Sequence, residues 1–199
     1  MITSRILVGL AKLLLGVSGR WIDPKITFKQ RIYFANHTSH ADTIVILAAL
    51  PPEMRKNTRP VAALDYWGKN KFLSFFCRNG LNAILINRKA SGHLDVLQPL
   101  HEALNLGESL IIFPEGTRSN QALPNEFKSG IYHLAQKHKN VELVPVYLEN
   151  IYRCMPKGTK FPLPLICTVR FGEALPKVET ETKEEFLKRA HSAVIGLSK

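Results

Sequence analysis

Short apolar runs alternate with longer segments of helical periodicity along almost the whole chain, and this alternation restricts the fold more than any other feature. The pattern predicts strands at 31–35, 60–64, 83–86, 110–113, 141–147 and 166–171. It predicts helices at 39–50, 65–80, 93–106, 127–138 and 181–197. Such an order is typical of an α/β domain with a largely parallel sheet and flanking helices. With 199 residues, a single domain of this class is expected.

Three polar features each follow the end of a predicted strand. They are His37, Arg88 and the segment 115–118. The carboxyl ends of parallel strands meet at one edge of a sheet, and functional residues of open α/β sheets collect there. We therefore expect these three features to converge at one site.

The N-terminal segment has the composition of an amphipathic helix over residues 2–20. One stripe of this helix would carry its charged and small residues, namely Arg5, Gly9, Lys12 and Gly16. A transmembrane helix needs about 20 apolar residues, and Lys12 interrupts this shorter run. We expect residues 1–22 to form a membrane-associating helix, with Trp21 near the boundary, and residues 23–199 to form one domain. Packing of the helix on the domain's own core is the alternative.

Charge and cysteine content limit the partners and the compartment. The net charge of +11, from 27 basic and 16 acidic residues, favours anionic lipid, phosphorylated substrates or nucleic acid. The three cysteines have no Cys-x-x-Cys spacing, which argues against a disulfide framework or a zinc site and favours a reducing compartment. We expect a peripheral, monotopic protein at the cytoplasmic face of a membrane.

The segment Asn36–Asp42 offers a histidine and a carboxylate five positions apart. On a regular helix this spacing is about 500° of rotation, so His37 and Asp42 would diverge by about 140°. They can meet only if His37 lies in the loop before a helix that has Asp42 in its first turns. A capping box of Ser39 with Asp42 would start the helix at Ser39. Asp42 would then orient His37 as a general base and stabilise its imidazolium, although simple helix capping is the alternative.

The segment Phe113–Arg118 is a turn with one acid, one hydroxyl and one guanidinium. Pro114 ends strand pairing, and Gly116 allows backbone conformations closed to other residues. Amide groups of such a turn could cradle a phosphate, which Arg118 would hold by charged bonds. The predicted phosphate site therefore comprises Glu115, Gly116, Thr117 and Arg118, in which Glu115 could bind substrate hydroxyls or orient a basic group.

Together the two segments resemble the glycerolipid acyltransferase family, and among its members the 1-acyl-glycerol-3-phosphate acyltransferases. The segment Asn82–Arg88 is similar to the family's second block, in which a strand ends at an arginine, although Asn82 stands where a glycine is usual. The segment Val141–Val146 is similar to the fourth block. The resemblance extends from about residue 28 to about residue 172 and implies that Arg88 is a second phosphate ligand.

Lys128–Gly130 follows the third block of the family closely. Lys128 could add charge near the phosphate or the acyl carrier, or extend into solvent. Four aromatic residues at near-helical spacing favour core packing, with an acyl channel or membrane contact as the alternative: Trp67, Phe72, Phe75 and Phe76.

The resemblance implies a peripheral acyltransferase that moves a fatty acyl chain from a carrier thioester to the free hydroxyl of 1-acyl-glycerol-3-phosphate, giving phosphatidate. His37 would be the general base and Asp42 its orienting partner. Acyl-coenzyme A or acyl carrier protein would deliver the acyl group, and both acidic donors suit a basic surface. We expect no metal and no bound organic cofactor.

Three other functions remain open at this point. One is transfer to another lysolipid acceptor, and another is lipid binding without catalysis, in which case His37→Ala would leave function intact. A nucleic-acid-binding module is suggested only by the net charge, and because no recognised binding motif is present we expect no nucleic-acid partner. Ser39 or Cys77 as a nucleophile is disfavoured because neither lies in a nucleophile elbow.

Overall fold

A seven-stranded sheet forms the centre of the protein in the computed structural model, which describes residues 2–23, 27–67, 70, 74–88, 96–154, 163 and 165–199. The strands are β1 (Ser18–Trp21), β2 (Arg31–Ala35), β3 (Thr58–Ala63), β4 (Ile84–Ile86), β5 (Ser109–Ile112), β6 (Glu142–Glu149) and β7 (Thr168–Phe171). Their order across the sheet is β1-β7-β6-β2-β5-β3-β4. Of the strand pairs in this part of the chain, only β6–β7 is antiparallel. The predicted α/β class with a largely parallel sheet is confirmed.

Helices flank the sheet in the described ranges. They are α1 (Ile2–Leu15), α2 (Asp42–Ala49), α3 (Pro52–Lys56), α4 (Leu64–Trp67), α5 (Gln98–Asn105), α6 (Gly130–Lys137), α7 (Ile151–Cys154) and α8 (Lys183–Gly196). A π-helical turn covers Phe76–Gly80. Parts of the predicted helices at 65–80 and 93–106, including Phe72 and the side chain of Phe76, lie outside the described residues.

Several boundaries differ from the predictions. Helix α2 begins at Asp42, and no side chain caps it, so the predicted Ser39 capping box is wrong. The Asp42 carboxylate instead accepts bonds from the preceding loop, which holds that loop out of the helix. The helix predicted over residues 2–20 is too long, because α1 ends at Leu15 and Ser18–Trp21 form β1 through parallel pairing with β7. Helices α3 and α7 were not predicted.

Both faces of the sheet are covered, as expected for a parallel sheet. Strand β2 shows this directly, because all five of its residues are buried. Ile32 and Phe34 belong to one core cluster, whereas Tyr33 and Ala35 belong to the cluster on the opposite face. Residues after the carboxyl ends of β2, β3, β4 and β5 therefore share one edge of a well-packed layer.

Helix α1 packs on the domain and also exposes apolar side chains. Its inner face buries Val8, Ala11 and Leu15 against the core, and Gly16, with a φ of 51°, ends the helix in the left-handed region. Its outer face leaves four apolar residues exposed, namely Ile6, Leu10, Leu13 and Leu14. Helix α1 thus packs on the domain's core, which was the alternative interpretation, and it also exposes the apolar face that a membrane-associating helix would need.

The predicted boundary after residue 22 does not coincide with a break in packing. Strand β1 is part of the sheet, and Trp21 stacks on Phe171 with 4.1 Å between ring centroids. Trp21 therefore packs on the domain, and its expected position near a membrane boundary stays a prediction. No helix among the described residues is long and apolar enough to cross a membrane.

Helix α8 offers a test of local stability, because a complete capping box begins it. Thr182 accepts a bond from the Glu185 amide, and the Glu185 side chain accepts one from the Thr182 amide. We expect Thr182→Ala to lower the free energy of unfolding by about 1 kcal/mol. Urea unfolding would measure this, with the exposed Thr180→Ala as control, and equal losses in both variants would contradict the role of the cap.

Candidate active site

His37 is held at its ring and at both of its backbone groups. Its Nδ1 lies 2.8 Å from Asp42 Oδ2, and its ring stacks on Phe113 with 4.1 Å between centroids. Its backbone N–H donates to Glu115 and its carbonyl accepts from the Ser119 amide, both at 2.7 Å. An Nδ1–H that donates to a carboxylate leaves Nε2 as the ring nitrogen that can accept a proton.

Asp42 is fully buried at the first position of α2. Its Oδ2 accepts the His37 ring N–H and the backbone amides of Thr38 and Ser39, at 2.6 Å and 2.9 Å for the two amides. The same carboxylate therefore fixes the conformation of the loop and orients the imidazole of His37. The structure thus brings His37 and Asp42 into contact in the arrangement that the spacing required.

Glu115 is buried and lies outside the lining of the cavity described below. One carboxylate oxygen accepts from the His37 amide, and the other accepts from the backbone and side chain of Asn125. Burial raises the pKa of Glu115, and its hydrogen bonds oppose this effect. Because the carboxylate faces these donors, we correct the predicted phosphate contact of Glu115 to a role in positioning His37.

Arg118 lies at the cavity beside a small cluster of rings. Its guanidinium is 5.8 Å from the centre of the Tyr66 ring, a cation–π distance. The Tyr66 hydroxyl lies 2.8 Å from His40 Nε2, and Trp67 contacts the His40 ring edge-on. Burial, followed by the charges of Arg118 and His37, lowers the pKa of His40 to about 4. His40 is therefore neutral at pH 7.

Arg88 is bound on both sides of its guanidinium. It donates to both carboxylate oxygens of Asp65, at 2.9 Å to Oδ2 and 3.0 Å to Oδ1, and also to the carbonyl oxygen of Gly116. Arg88 thereby links α4 to the turn after β5. Its role as a phosphate ligand stays a prediction, and its guanidinium is already paired with the Asp65 carboxylate.

The predicted residues of the sheet edge share one cavity of about 460 Å³. Its polar lining includes His37, Arg88, Thr117, Arg118 and Lys128. Its apolar lining comes from β3, β4, α5 and α6 and includes Val61, Ile86, Leu97, Leu100, Ile131 and Leu134. A mostly apolar pocket with a few convergent polar groups is the usual form of a ligand site, and this volume is in the usual range.

Sequence reasoning missed the parts of this site that depend on distant contacts. Neither Asp65 nor His40 was among the predicted site residues. The Asp65 carboxylate pairs with Arg88, and His40 Nε2 lies against the Tyr66 hydroxyl. In the described part of the chain, no group of three or more His, Cys, Asp or Glu residues could hold a metal ion.

The chain belongs to the Acyltransferase family, whose model matches residues 25–149. A protein of Limnanthes alba named 1-acyl-sn-glycerol-3-phosphate acyltransferase is 30% identical over 161 residues, which are 78% of this chain and 52% of that protein. The 1-acyl-sn-glycerol-3-phosphate acyltransferase alpha of Mus musculus is 27% identical over 154 residues, 75% of this chain and 50% of that protein. This chain thus spans about half the length of these curated relatives.

A solved structure shows the same fold. The crystal structure of the 1-acyl-sn-glycerophosphate (LPA) acyltransferase PlsC from Thermotoga maritima superposes with a TM-score of 0.75 and 22% sequence identity. The match covers 98% of this chain and 78% of that chain. At this identity the likeness supports the fold, while the residues of the site rest on the geometry given above.

The low pKa of His40 predicts an acid-sensitive contribution to stability. The unfolded chain binds a proton at His40 near pH 6.5, whereas the folded chain binds it near pH 4. The contribution of neutral His40 to the free energy of unfolding is therefore complete above about pH 6.5 and is lost as the pH falls towards 4. We expect His40→Gln, which does not titrate, to lose less free energy of unfolding than wild type between pH 7 and pH 4.5. Equal losses would contradict the prediction, and the exposed His133→Gln is the control.

Proposed function

We propose that this chain transfers a fatty acyl chain from a carrier thioester to the free hydroxyl of 1-acyl-glycerol-3-phosphate and so forms phosphatidate. The observation that carries the proposal is the contact between His37 and the buried Asp42, 2.8 Å apart, beside a cavity that has arginine in its polar lining and apolar walls. Membership of the Acyltransferase family and the names of the relatives support the same reaction.

The geometry supports general-base catalysis by His37. Its Nε2 takes the proton of the acceptor hydroxyl while the hydroxyl oxygen attacks the carbonyl carbon of the thioester. The tetrahedral intermediate then collapses, the carbon–sulfur bond breaks, and the imidazolium returns the proton to the leaving thiolate. Asp42 stabilises the imidazolium between these steps through its bond to Nδ1. No covalent intermediate with the protein is needed.

The cavity matches the two chemical parts of such substrates. Its apolar walls include Leu100, Ile131 and Leu134, which also belong to one of the core clusters. An apolar wall of this kind suits an acyl chain. Its cationic lining suits the phosphate of the acceptor. Acyl-coenzyme A and acyl carrier protein both remain candidate donors, and another lysolipid remains the alternative acceptor.

We also propose that the outer face of α1 attaches the protein to an anionic membrane surface, on the cytoplasmic side that the reduced cysteines favour. Its exposed apolar side chains are Ile6, Leu10, Leu13 and Leu14, and a further exposed residue, Ile166, lies close to Gly16, just after the end of the helix. Lys12 is exposed on the same helix. An exposed apolar helix face with a nearby cation is typical of contact with a membrane interface.

A transfer assay tests the reaction and the base together. Purified protein would receive 1-acyl-glycerol-3-phosphate with acyl-coenzyme A or acyl carrier protein in parallel reactions. We expect His37→Ala to lower turnover by roughly 100- to 10,000-fold, because a general base is lost. Asp42→Asn should also lose most activity, because an amide cannot stabilise the imidazolium to the same extent. His133→Ala is the control, and wild-type turnover in His37→Ala would refute His37 as the base. The absence of product even with the wild-type protein would favour another lysolipid acceptor or a non-catalytic lipid-binding protein.

Vesicle flotation tests the membrane surface. We expect the wild type to bind vesicles that contain anionic phospholipid and the double variant Leu10→Ser/Leu13→Ser to lose most of this binding, because less apolar area is buried at the interface. Leu106→Ser is a matched control, since Leu106 is 79% exposed and Leu13 is 80% exposed. Unchanged binding of the double variant would refute the assignment of α1.

A further inference from the structure

Three cationic side chains line the described part of the cavity, and their partners differ. Arg88 is paired with Asp65 and with the Gly116 carbonyl. Arg118 and Lys128 have no carboxylate partner among the residues that the structure describes. The charge of Arg88 is therefore already neutralised by Asp65, whereas Arg118 and Lys128 are available to bind an anion.

Lys128 is held across the turn on which Arg118 lies. Its backbone amide donates to the Pro114 carbonyl at 2.9 Å, and the preceding Phe127 is buried against Phe34. A Cβ atom added to Gly116 would lie 2.9 Å from Lys128 Nζ, so the ammonium group passes directly over this glycine. Gly116 also has a φ of 68°, and its lack of a side chain thus serves both the turn and the position of the lysine.

Arg88 fixes the orientation of a peptide group in the same turn. It donates to the carbonyl oxygen of Gly116, which belongs to the Gly116–Thr117 peptide. In a planar trans peptide the C=O and N–H bonds point in opposite directions, so the Thr117 N–H points away from Arg88. Asp65 holds the other side of the guanidinium and thereby restrains this arrangement.

We propose that Lys128 binds the phosphate of the acceptor together with Arg118, the ligand already expected from the sequence. Arg88 is instead a positioning residue: Asp65 restrains it, and it orients the Gly116–Thr117 peptide. This inference rests on the function proposed above. A phosphate monoester carries between one and two negative charges near neutral pH. If it bound to Arg88, it would have to approach the Asp65 carboxylate or displace it, whereas Arg118 and Lys128 present no such repulsion. Arginine supplies a planar fork and lysine a point charge, which together suit a tetrahedral anion.

The first experiment compares Michaelis constants for acceptor and donor at low ionic strength. We expect Lys128→Met to raise the Michaelis constant for 1-acyl-glycerol-3-phosphate by about 10- to 100-fold, the effect of losing one charged hydrogen bond. The Michaelis constant for the donor should stay near wild type. Lys137→Met, an exposed lysine at the end of α6 outside the cavity lining, is the matched control. A selective effect of Lys128→Met on the donor would overturn the assignment.

Asp65→Asn separates the two roles of Arg88. If Arg88 positions the turn, releasing it from Asp65 lowers the turnover number, and the double variant Asp65→Asn/Arg88→Met is no worse than Arg88→Met alone, because the two residues act as a unit. If Arg88 instead binds the phosphate, Asp65→Asn removes a competing carboxylate and lowers the Michaelis constant for the acceptor. The second result would overturn the positioning role.

Binding of glycerol 3-phosphate, followed by NMR titration, separates this inference from the proposed reaction. Wild type and Lys137→Met should bind it, and Lys128→Met should bind at least tenfold more weakly. Such binding without any acyl transfer would refute the proposed function while supporting the phosphate site. Normal transfer with unchanged binding in Lys128→Met would refute the role of Lys128 alone, and the absence of both transfer and binding would refute both proposals.

Discussion

The candidate site depends on the register between β2 and β5. Phe34 pairs with Ile112, so His37 and Glu115 each stand three residues beyond a paired position. This equal offset brings the Glu115 carboxylate to the His37 amide, although the two residues are 78 positions apart in sequence. A slip of one residue would turn every side chain of the strand to the other face of the sheet and would separate the two segments. The geometry of the candidate site thus depends on the correct pairing of the two central strands.

Charge is distributed unevenly around the carboxyl edge of the sheet, where the candidate site lies. Two buried carboxylates accept hydrogen bonds from this framework: Asp42 through Oδ2, from loop amides and the His37 ring, and Glu115 through both oxygens, from the His37 amide and from Asn125. Arg118 and Lys128 line the cavity, and His40 is kept neutral by burial and by the charge of Arg118. Negative charge therefore stabilises the framework of the loops, while positive charge faces the space where an anionic substrate would bind.

Helix α1 joins the core to an exposed apolar face. Its inner residues pack beside α2, the helix that begins with Asp42, and its outer residues are exposed. The proposed membrane surface and the helix that carries Asp42 therefore lie on packed, neighbouring elements.

The periodicity of the apolar residues was enough to predict the class of the fold and the strand Arg31–Ala35 with its correct bounds. The spacing of His37 and Asp42 was enough to predict that they meet only with the histidine in a loop, because helix geometry allows no other arrangement. The start of α2 was predicted three residues too early, since the sequence does not show that loop amides bind the Asp42 carboxylate.

Local sequence determined the elements and the chemical groups available at the ends of the strands. Tertiary structure decided which groups face the cavity. It turned Glu115 inward, joined Arg88 to Asp65 and placed Lys128 over Gly116. It also made a strand of Ser18–Trp21, which has no apolar pattern, by pairing it with Thr168–Phe171. The reason is that periodicity reports only the burial of each residue, whereas the partner of a charged group or an edge strand depends on segments far away in the chain.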